Sequence, residues 1–272
     1  MSSAFPTTTD ASCTVISNSA VAGIYRHLTV AAPALLLRAE PGQFFNLLCP
    51  PGDEDSPFLR RPMSLYYRQI ESGRLHFLYK IVGRGTRTLA RLRAGETLDV
   101  FGPLGRGFRL QPQWRRLLIV ARGVGLATLA ALAQRAQEEG RTVTAVCSAR
   151  SRSALAGVDF LEDMGVDVRT VVDSDGSAAV LAVERLLRRI IEDAGVDALF
   201  TCGSNRLLQL MQELGRQYAL PGQVALEERM ACGLGMCHGC VRPIMRDNQR
   251  IDVRVCKEGP VFDLQEAIAW QI

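Results

Sequence analysis

The chain has 272 residues, 47% of them hydrophobic and 22% charged, with 32 Lys+Arg against 28 Asp+Glu for a formal net charge of +4. That length supports two or three compact units with cores of their own. No run approaches the ~18–20 apolar residues of a membrane span. The basic residues are scattered, so pairs such as Arg115-Arg116 and Arg188-Arg189 read as solvated faces rather than a nucleic-acid site. Residues 1–12 are polar and lack the basic and apolar parts of a secretory signal; they are expected to form a frayed end.

From about residue 13 to 108 the pattern predicts short strands at 14–16, 24–30, 34–38, 44–49, 63–68, 75–81 and 97–101. Turn residues separate them: Pro41-Gly42, Pro50-Pro51-Gly52, Ser72-Gly73 and Gly102-Pro103. One helix is predicted at 85–92. Strands at this spacing predict a small antiparallel β-barrel.

The texture changes after residue 110. Apolar strands at 117–120, 142–148, 166–172 and 198–202 alternate with helices at 123–139, 179–194 and 205–218. That alternation predicts a parallel sheet covered on both faces, with a ligand site at the C-terminal strand ends, where 121–125 and 203–205 fall. Residues from about 221 onward form a third unit around a group of cysteines.

Those cysteines are Cys232, Cys237 and Cys240, followed by Cys256. The C-x4-C-x2-C spacing with a distant fourth cysteine is the plant-type ligand pattern of a [2Fe-2S] cluster. Gly233, Gly235 and Gly239 lie between them, where a loop wrapped on a cluster needs positive φ and close backbone N–H groups. Structural zinc and disulfides are the competing readings. Zinc usually takes two paired knuckles, and Cys240 and Cys256 form no second C-x2-C pair. Disulfides need an oxidising compartment, for which nothing in the chain argues. Cys13, Cys49, Cys147 and Cys202 are isolated, and the last two read as small buried hydrophobes. A reducing cytoplasm is the expected location. The three histidines, His27, His76 and His238, are far apart in sequence, and His238 reads as a solvated side chain in the cysteine loop. No Ser-His-Asp set, carboxylate pair or metal–water arrangement is evident, and no catalytic residue is assigned.

Two further motifs carry chemistry. Arg60-Arg61-Pro62-Met63-Ser64-Leu65 and Leu78-Tyr79-Lys80 precede Gly83-Arg-Gly85-Thr86, a turn opening a helix, whose free N–H groups suit an anion. With Pro41-Gly-Gln-Phe44, Gly102-Pro-Leu-Gly105, Leu226-Glu-Glu-Arg-Met-Ala-Cys232 and Cys256-Lys-Glu-Gly-Pro-Val-Phe262, the chain resembles the ferredoxin–NADP reductase superfamily. Within it the chain is similar, over nearly its whole length, to the electron-transfer subunits of bacterial dihydroorotate dehydrogenase, or to a paralogue of them serving another flavoenzyme.

The resemblance implies an FAD-binding β-barrel over 1–110, a nucleotide-binding α/β domain over 111–220 and a small [2Fe-2S] domain over 221–272. It implies that Arg61, Pro62, Met63, Ser64, Leu78, Tyr79 and Lys80 hold the FAD ring, and Gly85 and Thr86 its pyrophosphate. It further implies NAD(P) at Gly123, Gly125 and Gly203, and a catalytic flavoprotein partner in a hetero-oligomer of pyrimidine biosynthesis. A flavin belongs between a hydride carrier and a one-electron cluster, because it exchanges electrons either way. Two alternatives stand beside this relay: an electron-carrier module that does not use NAD(P)H, and a stand-alone NAD(P)H reductase. They arise because the nucleotide loops depart from the family pattern. Arg122 replaces a glycine in Ala121-Arg-Gly123-Val-Gly125, and Ser204 replaces a proline after Cys202-Gly203. Arg122 either blocks close approach of a dinucleotide or binds its phosphate. Arg150 and Arg152 follow the second strand, where a 2′-phosphate would sit in NADP enzymes, although surface arginines are the commoner meaning.

Overall fold

Alternation of buried and exposed residues builds the first sheet. Cys13 and Val15, Leu28 and Val30, Leu75, Phe77 and Tyr79, and Leu98 and Val100 all enter one apolar core, as the period of two in a strand requires. They come from β1 (Thr9–Ala22), β2 (Tyr25–Ala31), β6 (Arg74–Lys80) and β7 (Thr97–Leu104). With β3 (Phe44–Leu47), β4 (Arg61–Ser64) and β5 (Tyr67–Gln69) they form a curled seven-stranded sheet, ordered β4-β3-β7-β1-β2-β6-β5. Every pairing in it is antiparallel. The structure is a computed structural model and describes residues 8–52 and 57–269.

Three sequence expectations are corrected here. Residues 34–38 are not a strand; a 3-10 turn spans Leu36–Arg38, with Leu36 and Leu37 N–H both donating to Pro33 O. Adjacent leucines that are both buried fit a turn, since a strand would send them to opposite faces. The single strand expected at 63–68 is two, because the chain changes partner. Leu65 N–H donates to Gln43 O and Tyr66 N–H to His76 O, so β4 pairs with β3 and β5 with β6. Residues 9–12 are not frayed but pair with β7, while 1–7 lie outside the described residues.

The second sheet begins with β8 (Arg116–Arg122), β9 (Thr142–Ala149) and β10 (Asp167–Val172) and continues through β11 (Ala198–Cys202). Its order is β10-β9-β8-β11-β12-β15, parallel except for the last pair. Here α1 (Arg84–Leu89) belongs to the curled sheet, and α2 (Gly125–Glu138), α4 (Val180–Ala194) and α5 (Asn205–Gln217) cover the parallel one. The short α3 (Val158–Asp163) was not anticipated; it offers only Val158 and Leu161 to the core, too brief a pattern to stand out. β12 (Gly222–Ala225) and β15 (Val261–Asp263) were likewise not foreseen. They carry the chain beyond residue 220 back onto the sheet, on either side of the cysteine unit. In that unit β13 (Val241–Arg246) and β14 (Gln249–Arg254) form a hairpin closed by Asp247 and Asn248 at φ 51° and 61°, the αL pair such a two-residue turn demands. α6 (Val255–Glu258) follows directly.

One face of the parallel sheet, with α2, shares its core with Tyr25, Tyr66, Tyr67 and Leu78 of the curled sheet. The other face packs α4 and α5 and continues into Cys240, Ile244, Val253 and Cys256. The strand ends are thus held among all three units. No helix among the described residues is long and apolar enough to cross a membrane.

The fold also joins two histidines that lie 49 residues apart in the chain. His27 Nε2 and His76 Nδ1 are 3.0 Å apart, Thr29 Oγ1 is 3.1 Å from the same Nδ1, and His76 Nε2 reaches Gln69 Oε1 at 3.2 Å. Tyr67 lies between His76 and Phe160 of α3, stacked at 3.8 and 4.0 Å. With Nε2 donating to Gln69, Nδ1 is the acceptor, which keeps His76 neutral. Burial, then the neighbouring His27 and Arg74, push its pKa down to about 3. The unfolded chain takes up this proton near pH 6.5 and the native chain does not. Stability from His76 is therefore complete above pH 6.5 and is lost as pH falls toward 3, at about 1.4 kcal/mol per unit. Thermal midpoints measured from pH 7 to 4 are expected to fall less steeply in His76→Gln than in the native chain; equal slopes would contradict the assignment.

Candidate functional site

The loop from 226 to 240 leaves β12 without regular structure and carries three of the cysteines. Gly233 and Gly235 have φ of 71° and 81°, and a Cβ on Gly233 would stand 2.6 Å from Asn46 Nδ2. Gly239 has an ordinary φ; the left-handed position next to it is taken by exposed His238, at φ 58°. Asn46, from β3, donates to Cys232 O at 3.2 Å, while its buried Oδ1 has no partner. The curled sheet therefore fixes the start of the cysteine loop.

The eight cysteines are unbridged. Cys240 and Cys256 are buried with their sulfurs 3.2 Å apart, and Cys232 interacts with the side chain of Cys237. The four thiols thus form two pairs. Backbone N–H groups of Leu234, Gly239 and Cys256 point at Cys232, Cys237 and Cys240 Sγ, at 3.3, 3.5 and 3.4 Å. Burial alone would raise the Cys232 thiol, but N–H groups of Cys237, Leu234 and Met236 outweigh it and hold its pKa at about 6. Burial and the adjacent Cys240 push Cys256 up to about 12. Among the described residues no three His, Cys, Asp or Glu side chains close on one metal position. Two thiol pairs, amide donors at the sulfurs and glycine turns fit a binuclear cluster with a pair for each iron.

The strand Arg61–Ser64 and residues Leu78, Tyr79, Lys80 and Thr86 meet around one cavity of about 350 Å³. Phe44, Val124 and Ala127 close its sides, and Leu226, Glu227, Glu228, Met230 and Pro260 bring the cysteine loop to its edge. An apolar slot with a few charged and hydroxyl groups at its ends suits a flat heteroaromatic ring carrying polar edges. Tyr79 borders the cavity but turns its hydroxyl to Asn18 Oδ1, 3.0 Å away. Ser64 accepts a hydrogen bond from Thr128 of α2 at 2.8 Å, tying this strand to the parallel sheet. Gly85 lies against Arg61: a Cβ there would stand 2.6 Å from Arg61 Nε. The N–H groups at the turn are partly used, because Thr86 Oγ1 accepts from Val82 and Gly83 at 2.9 and 3.1 Å.

At the parallel sheet, the turn after β8 and the turn after β11 touch backbone to backbone. A Cβ on Gly125 would stand 2.5 Å from Cys202 O, and one on Gly203, at φ 102°, 2.5 Å from Arg122 O. Only glycine allows this approach. A cavity of about 230 Å³ opens beside it, lined by Cys202, Gly203, Ser204, Leu226 and Glu227. Gly123, also at positive φ, lies on the β8 turn near Tyr25 Oη. Glu227 borders both cavities and is solvent-exposed, yet the protein mass around it raises its carboxyl above the usual range. Arg242, buried, anchors the same loop through Glu228 (3.1 Å) and Ile268 O (2.8 Å). Asn46 and Arg242 carry no sequence signal, since each acts through a contact distant in the chain, and Glu227 is visible in the sequence only as part of the motif from Leu226 to Cys232, with no role of its own.

A curled antiparallel sheet followed by a parallel α/β sheet is the fold of the ferredoxin reductases. The ferredoxin reductase in carbazole 1,9a-dioxygenase superposes with TM-score 0.64 at 18% identity, covering 80% of this chain and 68% of that one. The NADH-dependent reduced ferredoxin-NADP oxidoreductase, solved in a study of flavin-based electron bifurcation, superposes with TM-score 0.79 at 25% identity, over 94% and 90% of the two chains. Residues 227–268 match the family described as the iron-sulfur cluster binding domain of dihydroorotate dehydrogenase B. The dihydroorotate dehydrogenase B (NAD(+)) electron transfer subunit of Desulforamulus reducens is 33% identical over 242 residues, 89% of each chain. That of Geobacillus thermodenitrificans is 31% identical, over 94% of this chain and 97% of its own. The chain belongs to the family of dihydroorotate dehydrogenase B electron-transfer subunits.

Proposed function

We propose that this chain relays electrons in the cytoplasm between a catalytic dihydroorotate dehydrogenase-like flavoprotein and NAD(P), as one subunit of an oxidoreductase complex. The observation that carries the proposal is the continuity of the sites. The cavity at Arg61–Ser64 and the cavity at Gly203 share Leu226 and Glu227, and the same segment runs on into Cys232 five residues later. Bound FAD exchanges hydride with a nicotinamide and single electrons with the [2Fe-2S] cluster. On this reading Arg61, Pro62, Met63, Ser64, Leu78, Tyr79 and Lys80 orient the ring, and Gly85 and Thr86 face the pyrophosphate. Gly123, Gly125 and Gly203 admit the dinucleotide to the strand ends. Cys232, Cys237, Cys240 and Cys256 hold the cluster, and their amide neighbours offset the thiolate charge. The work divides as 1–110 for flavin, 111–220 for dinucleotide and 221–272 for the cluster.

Purified protein is expected to carry flavin absorbance with near-stoichiometric iron and sulfide. Anaerobic mixing with NADH or NADPH is expected to bleach the flavin promptly. Bleaching by neither nucleotide would reduce the chain to a carrier module, and absence of flavin and iron would refute the relay.

A further inference from the structure

Arg122 replaces the glycine that close dinucleotide approach normally wants, and its side chain is fixed. Last in β8 and in register with Ser148 of β9, it donates through Nη1 to Ser148 Oγ at 2.8 Å. Nη1 and Nη2 also grip Asp173, just beyond β10, at 3.3 and 2.6 Å. The guanidinium therefore bridges the C-terminal ends of three adjacent strands. Arg122, Ser148, Asp173, Ser204 and Arg206 line a cavity of about 190 Å³ there. Arg122 first, and then Arg206 and Arg150, hold the Asp173 carboxyl below its usual range. One carboxylate thus shares the cavity with the guanidinium groups of Arg122 and Arg206 and the hydroxyls of Ser148 and Ser204.

Three cavities run in series through shared walls. Ser204 borders both the arginine cavity and the Gly203 cavity, and Leu226 and Glu227 border both that cavity and the one at Arg61–Ser64. A dinucleotide with its nicotinamide at the Arg61 end has its phosphate-bearing half toward Arg122. We propose that Arg122, with Arg206, is the phosphate anchor of the dinucleotide in this chain, and that Asp173 is an internal stand-in anion which the phosphate displaces. The proposal rests on the dinucleotide reading of this site and adds a selectivity determinant to it. It makes the departure from glycine a binding device rather than an obstruction. Bidentate guanidinium contacts to a carboxylate and to a phosphate have the same geometry, so exchange costs Arg122 no reorientation.

The test uses the flavin-loaded full chain and equilibrium titration with NAD⁺ and NADP⁺, with inorganic pyrophosphate as competitor. Asp173→Asn, which removes the competing anion, is expected to tighten dinucleotide binding by several-fold, and Arg122→Gln to weaken it by about tenfold. Pyrophosphate is expected to compete in the native chain and much less in Arg122→Gln. Both side chains are partly exposed, so thermal midpoints and flavin content serve as folding controls. Unchanged or tighter binding in Arg122→Gln, weaker binding in Asp173→Asn, or no saturable binding by the native chain would each overturn the anchor. Failure of the relay is seen separately: dinucleotide that binds but does not bleach the flavin sinks the relay and leaves the anchor standing.

Discussion

Cys240→Ser is expected to abolish the cluster while leaving the flavin in place. Cys240 and Cys256 are both 2% exposed, with sulfurs 3.2 Å apart, and Cys240 also accepts the Cys256 N–H. A serine oxygen is a harder and shorter ligand than a thiolate, and iron–sulfur clusters select soft donors. Without iron the buried serine hydroxyl keeps only the Cys256 N–H and thiol as partners, at a stability cost of about 1 kcal/mol. Cys237→Ser should lose the cluster equally with a smaller stability change, because Cys237 is exposed. The variants are expected to show flavin absorbance, no cluster absorbance or paramagnetic signal on reduction, continued bleaching by nicotinamide, and no electron delivery to the partner. Full iron and sulfide in purified Cys240→Ser would refute the ligand assignment.

The second large effect is expected at Arg61. Its guanidinium lies over Gly85 at the mouth of the ring cavity. On the proposed flavin reading Arg61→Ala removes a charge-assisted contact to the bound ring, and FAD affinity is expected to fall by about 10–100-fold. Gly85→Ala should act on the same contact from below. The added methyl meets the flexible end of Arg61 rather than backbone, so the guanidinium moves and the fold does not. Stability is expected to change by no more than about 0.5 kcal/mol, while FAD affinity falls. The two changes are expected to be strongly non-additive, since both remove one contact. Additive losses in flavin-fluorescence titrations of the double variant would show that Gly85 acts independently of Arg61.

Both experiments probe residues that were legible in the sequence. Arg61–Ser64 was legible only through the motifs that carry the family resemblance, since alone it reads as a polar strand edge, whereas the cysteines stand out by their cluster-type spacing. That residues 34–38 hold a 3-10 turn and 63–68 two strands was not legible, because hydropathy alone reveals neither a tight turn with two buried leucines nor the point where a strand changes partner. α3, β12 and β15 were missed because three to six residues hold too little periodicity to register. The turn at Gly83–Thr86 was legible as a helix start, but that Thr86 consumes two of its amide donors was not.

The sequence by itself determined the plant-type spacing of Cys232, Cys237, Cys240 and Cys256, the change from antiparallel to alternating α/β architecture, and the glycines at positions 123, 125 and 203 in the loops of the α/β unit. Each of these is a local property, carried by spacing or by backbone freedom over a few residues. Only the tertiary structure decided how the four thiols divide into two pairs, that Asn46 reaches from the curled sheet to Cys232, and that His27 lies against His76. It also placed Arg122 against Ser148 and Asp173. Those facts depend on groups up to 186 residues apart in the chain, and no local pattern encodes which distant side chain the packed sheets bring within hydrogen-bonding distance.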